Sequence, residues 1–415
     1  MTTAGLQTRL GFAPDRLERI TDWMQSYVDD GRYPGASVLI ARGGNVAFRS
    51  QVGQRDIEAG KPFEQDTIAR IYSMTKPLTS VAIMMLVERG LFTLNTPISE
   101  FIPEFAKCRA LLPGAQNLSQ SEPAPTPTVH QLLVHTAGFS YSFNEGLMGE
   151  AYLENQIHFG TGPVEPGLTL ETAAKRVAEL PLAFQPGSKW EYSIAIDLLG
   201  RIIEVASGEP LDQFLHNHII EPLGMVDTAF DVPEDKLDRF AACYTCSEDK
   251  STLMALSDAP QTTRYKRGTV TAFSGGGGLV STLDDYLKFA DMVRRGGERD
   301  GVRFLSPRTL DFMRQNHLKG DIASMGPTSF AEMPMDGTGF GLGWSVVIDP
   351  AQVKVPGSMG DYGWGGLAST GWWNDPVQDI TTIFFTQLIP SSAWPSRPQL
   401  RALVNAAVVG DGNYA

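Results

Sequence analysis

Cysteine is scarce in this 415-residue chain, with three residues at Cys108, Cys243 and Cys246. Three thiols cannot build a disulfide framework. Cys243-Tyr244-Thr245-Cys246 also lacks the second pair, or the histidines, that a zinc site would need. The pair reads as incidental thiols near a loop, and no metal or other cofactor is expected. Basic blocks are missing too: the net charge is -13, and nothing compensates it locally in the way a nucleic-acid surface would require. No apolar run approaches the roughly 20 residues of a membrane span, and Met1 to Pro14 lacks the charged start and apolar core of a secretion signal. The expectation is therefore a cytoplasmic protein with neither nucleic-acid nor membrane partners. A final absence concerns chemistry. There is no G-x-S-x-G, and the six histidines are poorly placed for a serine–histidine triad, with His130 and His135 on one short helix and His216 and His218 facing different ways on another.

What is present begins with Ala69-Arg70-Ile71-Tyr72-Ser73-Met74-Thr75-Lys76-Pro77-Leu78, running into the apolar stretch Val81 to Gly90. Apolar residues recur at helical spacing, Gly90 supplies a stop, and Pro77 is tolerable only near a helix start. Ser73 thus sits at a helix N-terminus, and Lys76, three residues on, shares its face. A hydroxyl beside unpaired N–H groups, with an amine in reach of its proton, suits nucleophilic acyl transfer. A second S-x-x-K, Ser247-Glu248-Asp249-Lys250, has no apolar helical run behind it and reads as an exposed loop.

Asp15 to Asp30 has the pattern of an amphipathic helix. Ala36 to Arg42 and Val46 to Ser50, around Gly43-Gly44-Asn45, read as a hairpin. From about 91 to 265 helical and loop patterns dominate. They include a capped helix near Thr128 to Gly138 and helices over Leu170 to Leu180, Asp197 to Ser207 and Leu211 to Ile220. Leu112 to Thr128 looks like an irregular surface excursion. Strand character returns around Phe273 to Thr282, Gly343 to Ile348, Ser369 to Asn374 and Ile380 to Thr386, with a last helix over Pro398 to Val409. The expected fold is α/β plus α: residues 1–90 and 266–415 form an antiparallel sheet flanked by the terminal helices, residues 91–265 form an inserted, mostly helical domain, and the active site lies at their junction.

With no histidine available, the proton must be handled elsewhere. Tyr192, in the turn-rich Pro186-Gly187-Ser188-Lys189-Trp190-Glu191-Tyr192-Ser193, is one candidate base. Its pKa of about 10 would have to fall by about three units, and Lys76 could contribute part of that. Equally, a desolvated Lys76 can be the base and Tyr192 the acid that returns the proton to the leaving group. Gly360-Asp361-Tyr362-Gly363-Trp364-Gly365-Gly366-Leu367, just before a strand, permits a close backbone approach to a ligand, and a following N–H can serve as a second oxyanion donor.

Ser73-Met74-Thr75-Lys76, Leu132 to Gly138, Pro186-Gly187 before Tyr192-Ser193, Glu221-Pro222-Leu223-Gly224-Met225 with Asp227-Thr228, and Trp364-Gly365-Gly366 follow the order of serine β-lactamase-like proteins. From about residue 15 to 410 the chain resembles the family VIII carboxylesterases, relatives of class C β-lactamases and penicillin-binding proteins. The resemblance implies a β-lactamase/D,D-peptidase-like fold, acylation of Ser73, proton handling by Lys76 and Tyr192, and an oxyanion hole from the backbone N–H groups of Ser73 and Leu367. Two departures bear on substrate. Ile194 stands where class C β-lactamases have Asn, and Trp364 stands where they have the Lys of Lys-Thr-Gly, so the cation that meets a penicillin carboxylate is absent. Losing that cation also favours Lys76 as base with Tyr192 as proton shuttle. Similar esterases have an acid at the position of Asp197, where it could reach this pair or the substrate.

The expected activity is hydrolysis of small-molecule esters with short acyl groups through an acyl-enzyme on Ser73. Trp364, Gly365, Gly366, Asp197, Phe139 and Tyr141, with Phe143, are the expected pocket residues. The competing activities are acyl transfer to an alcohol or amine, weak β-lactamase or D,D-peptidase action, and, outside enzymology, ligand binding without catalysis on the same scaffold.

Overall fold

The computed structural model describes residues 2–158, 167–247, 249–251, 254–331 and 333–411. Its centre is an eight-stranded, wholly antiparallel sheet assembled from both ends of the chain. The amino-terminal strands are β1 (Gly35–Arg42), β2 (Asn45–Asp56) and β3 (Lys61–Pro62). The carboxy-terminal strands are β4 (Thr338–Phe340), β5 (Ser345–Val347), β6 (Tyr362–Gly365), β7 (Gly371–Asp375) and β8 (Ile380–Phe385). The order across the sheet is β4-β5-β6-β7-β8-β1-β2-β3, so the first strand pairs with the last, Ser37 opposite Phe385 and Leu39 opposite Ile383.

Every residue of β1 is buried, because both faces of the sheet are covered. Val38 and Ile40 point into a cluster with α1 (Pro14–Asp29), through Leu17, Ile20 and Met24. The same cluster takes Leu400 and Val404 of the last helix, Ser396–Ala407. Leu39 and Ala41, one residue out of phase, join the main core on the opposite face. That core holds α2 (Thr75–Glu88), α3 (Ala195–Ser207), α4 (Leu283–Arg294) and most of the helical middle segment. The last helix is α5.

Two readings of the sequence change here. Trp364 lies inside strand β6, opposite Trp372, and not in a turn before a strand. Cys243 opens a short strand, Cys243–Thr245, that runs parallel to Leu388–Ile389, and Cys246 follows it where the loop begins, both thiols buried. Residues 240–246 and 255–258 therefore pack with the sheet side, as the bridge Ile68 to Phe240 also shows, although the sequence groups them with the helical insertion. Among the described residues no helix is long and apolar enough to cross a membrane.

Candidate active site

The nucleophile candidate sits on a turn that several elements hold in place. Tyr72–Met74 is a single 3₁₀ turn leading into α2, and its first hydrogen bond runs from the Met74 N–H to the Ile71 carbonyl at 3.0 Å. The Ser73 N–H, in the first turn, has no intrahelical acceptor. Tyr72 adopts φ 41°, a conformation that side chains with a Cβ rarely take, so the chain is strained one residue before Ser73. Tyr286 donates its hydroxyl to the Met74 carbonyl at 2.9 Å, and the Leu279 N–H donates to Thr75 Oγ1 at 3.1 Å. Pro77 falls in the first turn of α2, where its missing N–H costs no hydrogen bond.

Lys76 is fully buried beside it. Its Nζ stands 3.1 Å from Ser73 Oγ and donates to the Gly276 carbonyl at 2.6 Å and to the Tyr141 hydroxyl oxygen at 2.9 Å. Burial pulls its pKa down from the ordinary lysine value to about 7, against an opposing pull from the Asp197 carboxylate. The amine is thus available in its neutral form near neutral pH.

Tyr192 faces the same serine, with a side-chain hydrogen bond to Ser73. Its ring lies under Lys76, whose Nζ is 4.5 Å from the ring centroid. Burial raises the phenol well above its ordinary value, and its hydrogen bonds with Ser73 and Trp364 only partly offset this. It stays protonated at neutral pH. The Trp364 indole N–H donates to the Tyr192 oxygen at 3.0 Å. Trp364 therefore occupies a donor position, and its ring also stacks on Phe330 at 5.7 Å along the wall of the cleft.

The remaining pocket candidates separate. Tyr141 lines the cleft and is stacked on Phe143 at 4.6 Å, and its contact with Lys76 places it in the polar cluster as well. Gly365, Gly366 and Leu367 line the cleft too. Phe139 does not: it is 2% exposed and lies in the core with its ring edge against Phe105. Asp197 is buried behind Lys76, away from the cleft lining, where Oδ1 accepts from Ser274 Oγ at 2.5 Å and the Gly276 N–H at 3.0 Å. Burial raises its carboxyl, an effect that the Lys76 cation opposes most strongly.

The two glycines have different reasons. A Cβ at Gly366 would lie 2.4 Å from the Ile71 carbonyl, so this residue lets the β6–β7 connection close on the nucleophile turn. A Cβ at Gly365 would instead strike the Arg397 guanidinium. Tyr141 as a Lys76 partner, the Gly276 carbonyl and Arg397 had no role in the sequence reading. The one signal available was the Gly275-Gly276-Gly277-Gly278 run, since a Cβ at Gly276 would meet Asp197 Oδ2 at 2.4 Å.

His135 is turned to Ser193. It is buried, with Nδ1 3.0 Å from Ser193 Oγ, and burial and the Lys76 charge hold it neutral. In the second S-x-x-K, Glu248 lies outside the described residues, Ser247 Oγ donates to Asp249 at 2.7 Å, and Lys250 stands over the Trp394 ring at 4.4 Å. Among the described residues no three His, Cys, Asp or Glu side chains are grouped to hold a metal ion. Ser73, Tyr192 and Trp364 open together onto a cleft of about 1120 Å³, whose lining also includes Phe330, Met333 and Met335. A hydroxyl, a neutral amine and a protonated phenol at the mouth of an apolar cleft can exchange an acyl group and move its proton.

The family model described as Beta-lactamase matches residues 20–406. Protein Rv1367c of Mycobacterium tuberculosis is 36% identical over 368 residues, 87% of this chain and 88% of the relative. Esterase EstB of Burkholderia gladioli is 31% identical over 385 residues, 89% of each. Among solved structures, "EstCE1, a hydrolase with promiscuous acyltransferase activity" superposes with a TM-score of 0.77 at 28% identity, covering 97% of this chain and 99% of that one.

Proposed function

The chain belongs to the beta-lactamase family, and from that premise we propose that it is a serine esterase whose acyl-enzyme forms on Ser73. The observation that carries the proposal is the hydrogen-bond count at Lys76. A neutral amine has two N–H donors and one lone pair. With Lys76 neutral, the two donors take the Gly276 carbonyl and the Tyr141 oxygen, and the lone pair faces the Ser73 hydroxyl at 3.1 Å. Lys76 takes the Ser73 proton as Oγ attacks the ester carbonyl carbon. The backbone N–H groups of Ser73 and Leu367 stabilise the oxyanion. As the carbon–oxygen bond breaks, Tyr192 donates its proton to the departing alkoxide, and the proton held on Lys76 replaces it. Water then repeats the attack on the acyl carbon, and the carboxylic acid leaves Ser73.

Similarity to Esterase EstB supports an ester as substrate. So does Trp364, whose indole supplies Tyr192 with a neutral donor where a β-lactamase would present a cation. Phe139, expected as a pocket wall, lies in the core. With Met333 and Phe330 lining the cleft, acyl chains longer than acetyl are the better fit. Acyl transfer to an alcohol is the second reading, favoured by a cleft roomy enough for an acceptor and by similarity to EstCE1.

The test is a panel of p-nitrophenyl esters of increasing acyl length, with a chromogenic cephalosporin alongside, on wild type and Ser73→Ala. The expected result is ester turnover far above cephalosporin turnover, lost by about 10³-fold or more in Ser73→Ala. Substantial esterase activity in Ser73→Ala would overturn the mechanism. Added alcohol that diverts product from acid to ester would establish the second reading.

A further inference from the structure

We infer that Arg397 is a positioning residue of the oxyanion hole, acting through the Gly366–Leu367 peptide. The inference rests on the role proposed above for the Leu367 N–H. Arg397 is the second residue of α5, and its Nη2 donates to the Gly366 carbonyl at 2.9 Å and to the Thr370 carbonyl at 2.8 Å. The Gly366 carbonyl and the Leu367 N–H are opposite ends of one planar amide. Fixing the oxygen fixes the direction of the hydrogen.

The guanidinium ties together both ends of the tight connection between β6 and β7. Within it the Gly366 N–H donates to the Thr370 carbonyl at 2.9 Å and the Ser369 N–H to the Gly366 carbonyl at 3.1 Å. The hydrogen bond from a cation also polarises the amide it lands on, which makes the Leu367 N–H a stronger donor at the other end. Room for this arrangement is made at Gly365, where a Cβ would lie 2.4 Å from Arg397 Cζ and Nη2. The Arg397 charge also reaches Tyr192, whose phenol it pulls downward against the effect of burial.

Because Arg397 also lines the cleft, the experiment must separate positioning from direct contact with a substrate anion. Arg397→Ala, Arg397→Lys, Gly365→Ala and Ser73→Ala are compared on a neutral p-nitrophenyl ester and on an ester carrying a free carboxylate. Affinity for a boronic acid, which forms a tetrahedral adduct on the serine, is measured in parallel. Arg397→Ala is expected to lose about 10- to 100-fold in kcat on the neutral ester with KM within about twofold, and to lose boronate affinity in proportion, since a weakened oxyanion donor costs less than the roughly 10²- to 10³-fold of a removed one. Arg397→Lys, with one ammonium for two carbonyls, is expected to fall between. Gly365→Ala keeps the arginine but displaces its guanidinium. It is expected to lose kcat in the same way, and it decides the matter if Arg397→Ala does not fold. Wild-type kcat in the folded variants, or a loss confined to KM for the carboxylate ester, would overturn the inference. Either result alongside an inactive Ser73→Ala leaves the esterase reading intact, whereas an active Ser73→Ala removes that reading itself.

Discussion

At the scale of single residues, the site depends on how far Lys76 is pulled from its ordinary charge state. Desolvation is the larger influence and lowers its pKa, and the Asp197 carboxylate pulls the other way. Asp197→Asn removes the charge while keeping an acceptor for Ser274 and the Gly276 N–H. Without that opposing pull the Lys76 pKa falls further, so more of the amine is neutral at low pH. The acid limb of the kcat/KM profile, near pH 7 in the wild type, is expected to move to lower pH in Asp197→Asn, with the plateau lower if the Gly276 backbone shifts. A limb that stays in place or moves upward would show that Lys76 is not the titrating base. Asp197 was legible as a functional candidate because it lies five residues after Tyr192, at a position where similar esterases have an acid. Its position behind the lysine and not against the substrate was not legible, since the Ser274 and Gly276 contacts that fix it come from nearly eighty positions away.

Among the elements, local pattern revealed the Ser73 turn and failed at β6. Ser73 on the 3₁₀ turn and Lys76 and Pro77 in the first turn of α2 are neighbours, so apolar run, proline and motif all report the same object. Tyr362-Gly363-Trp364-Gly365 reads as a turn because half of it is glycine, which weakens any strand pattern. The strand exists because Gly363 pairs with Trp373 and Trp364 with Trp372 across a crowded register, and because Gly365 leaves space for an arginine thirty-two positions later. Those demands are tertiary. Gly366→Ala tests the connection that follows: its Cβ meets the Ile71 carbonyl at 2.4 Å, so the turn must back away from Ser73 or distort the approach to α2. Steady-state assays are expected to show at least a tenfold loss in kcat, with the antiparallel sheet retained by circular dichroism. A variant with full kcat would mean that the close approach at Gly366 contributes nothing to the chemistry.

Across the whole molecule, the sheet that joins the chain ends was legible, because β1, β2 and β8 carry β-branched and apolar runs and the terminal segments are amphipathic. Invisible in sequence was the cost of enclosing polar groups between the sheet and the helical segment. His135 is the clearest case: burial and the Lys76 charge hold its pKa well below the ordinary 6.5, and His130 and His317, 3.2 Å apart, are lowered in the same direction by burial. A histidine kept neutral in the folded state takes up its proton only on unfolding. Its contribution is therefore complete above about pH 6.5 and is lost as pH falls toward the depressed folded value. Asp361 has the opposite sign, because burial and Asp375 push its carboxyl up to about 7 in spite of Arg401 at 3.0 Å, and it gains relative stability on acidification. The net curve mixes these signs, so the informative measurement is a difference. His135→Asn suits it, because asparagine tolerates the φ of 55° found there and can still meet Ser193. At pH 7.5 the variant is expected to melt a few degrees lower than wild type, since a packed ring is lost. Between pH 7.5 and 5.5 its Tm is expected to fall by less than that of wild type, because one proton no longer has to be taken up on unfolding. An equal or larger fall in the variant would mean that His135 is already charged in the folded protein, and that the aromatic cage of Trp190, Tyr192 and Phe340 around it does not exclude the imidazolium.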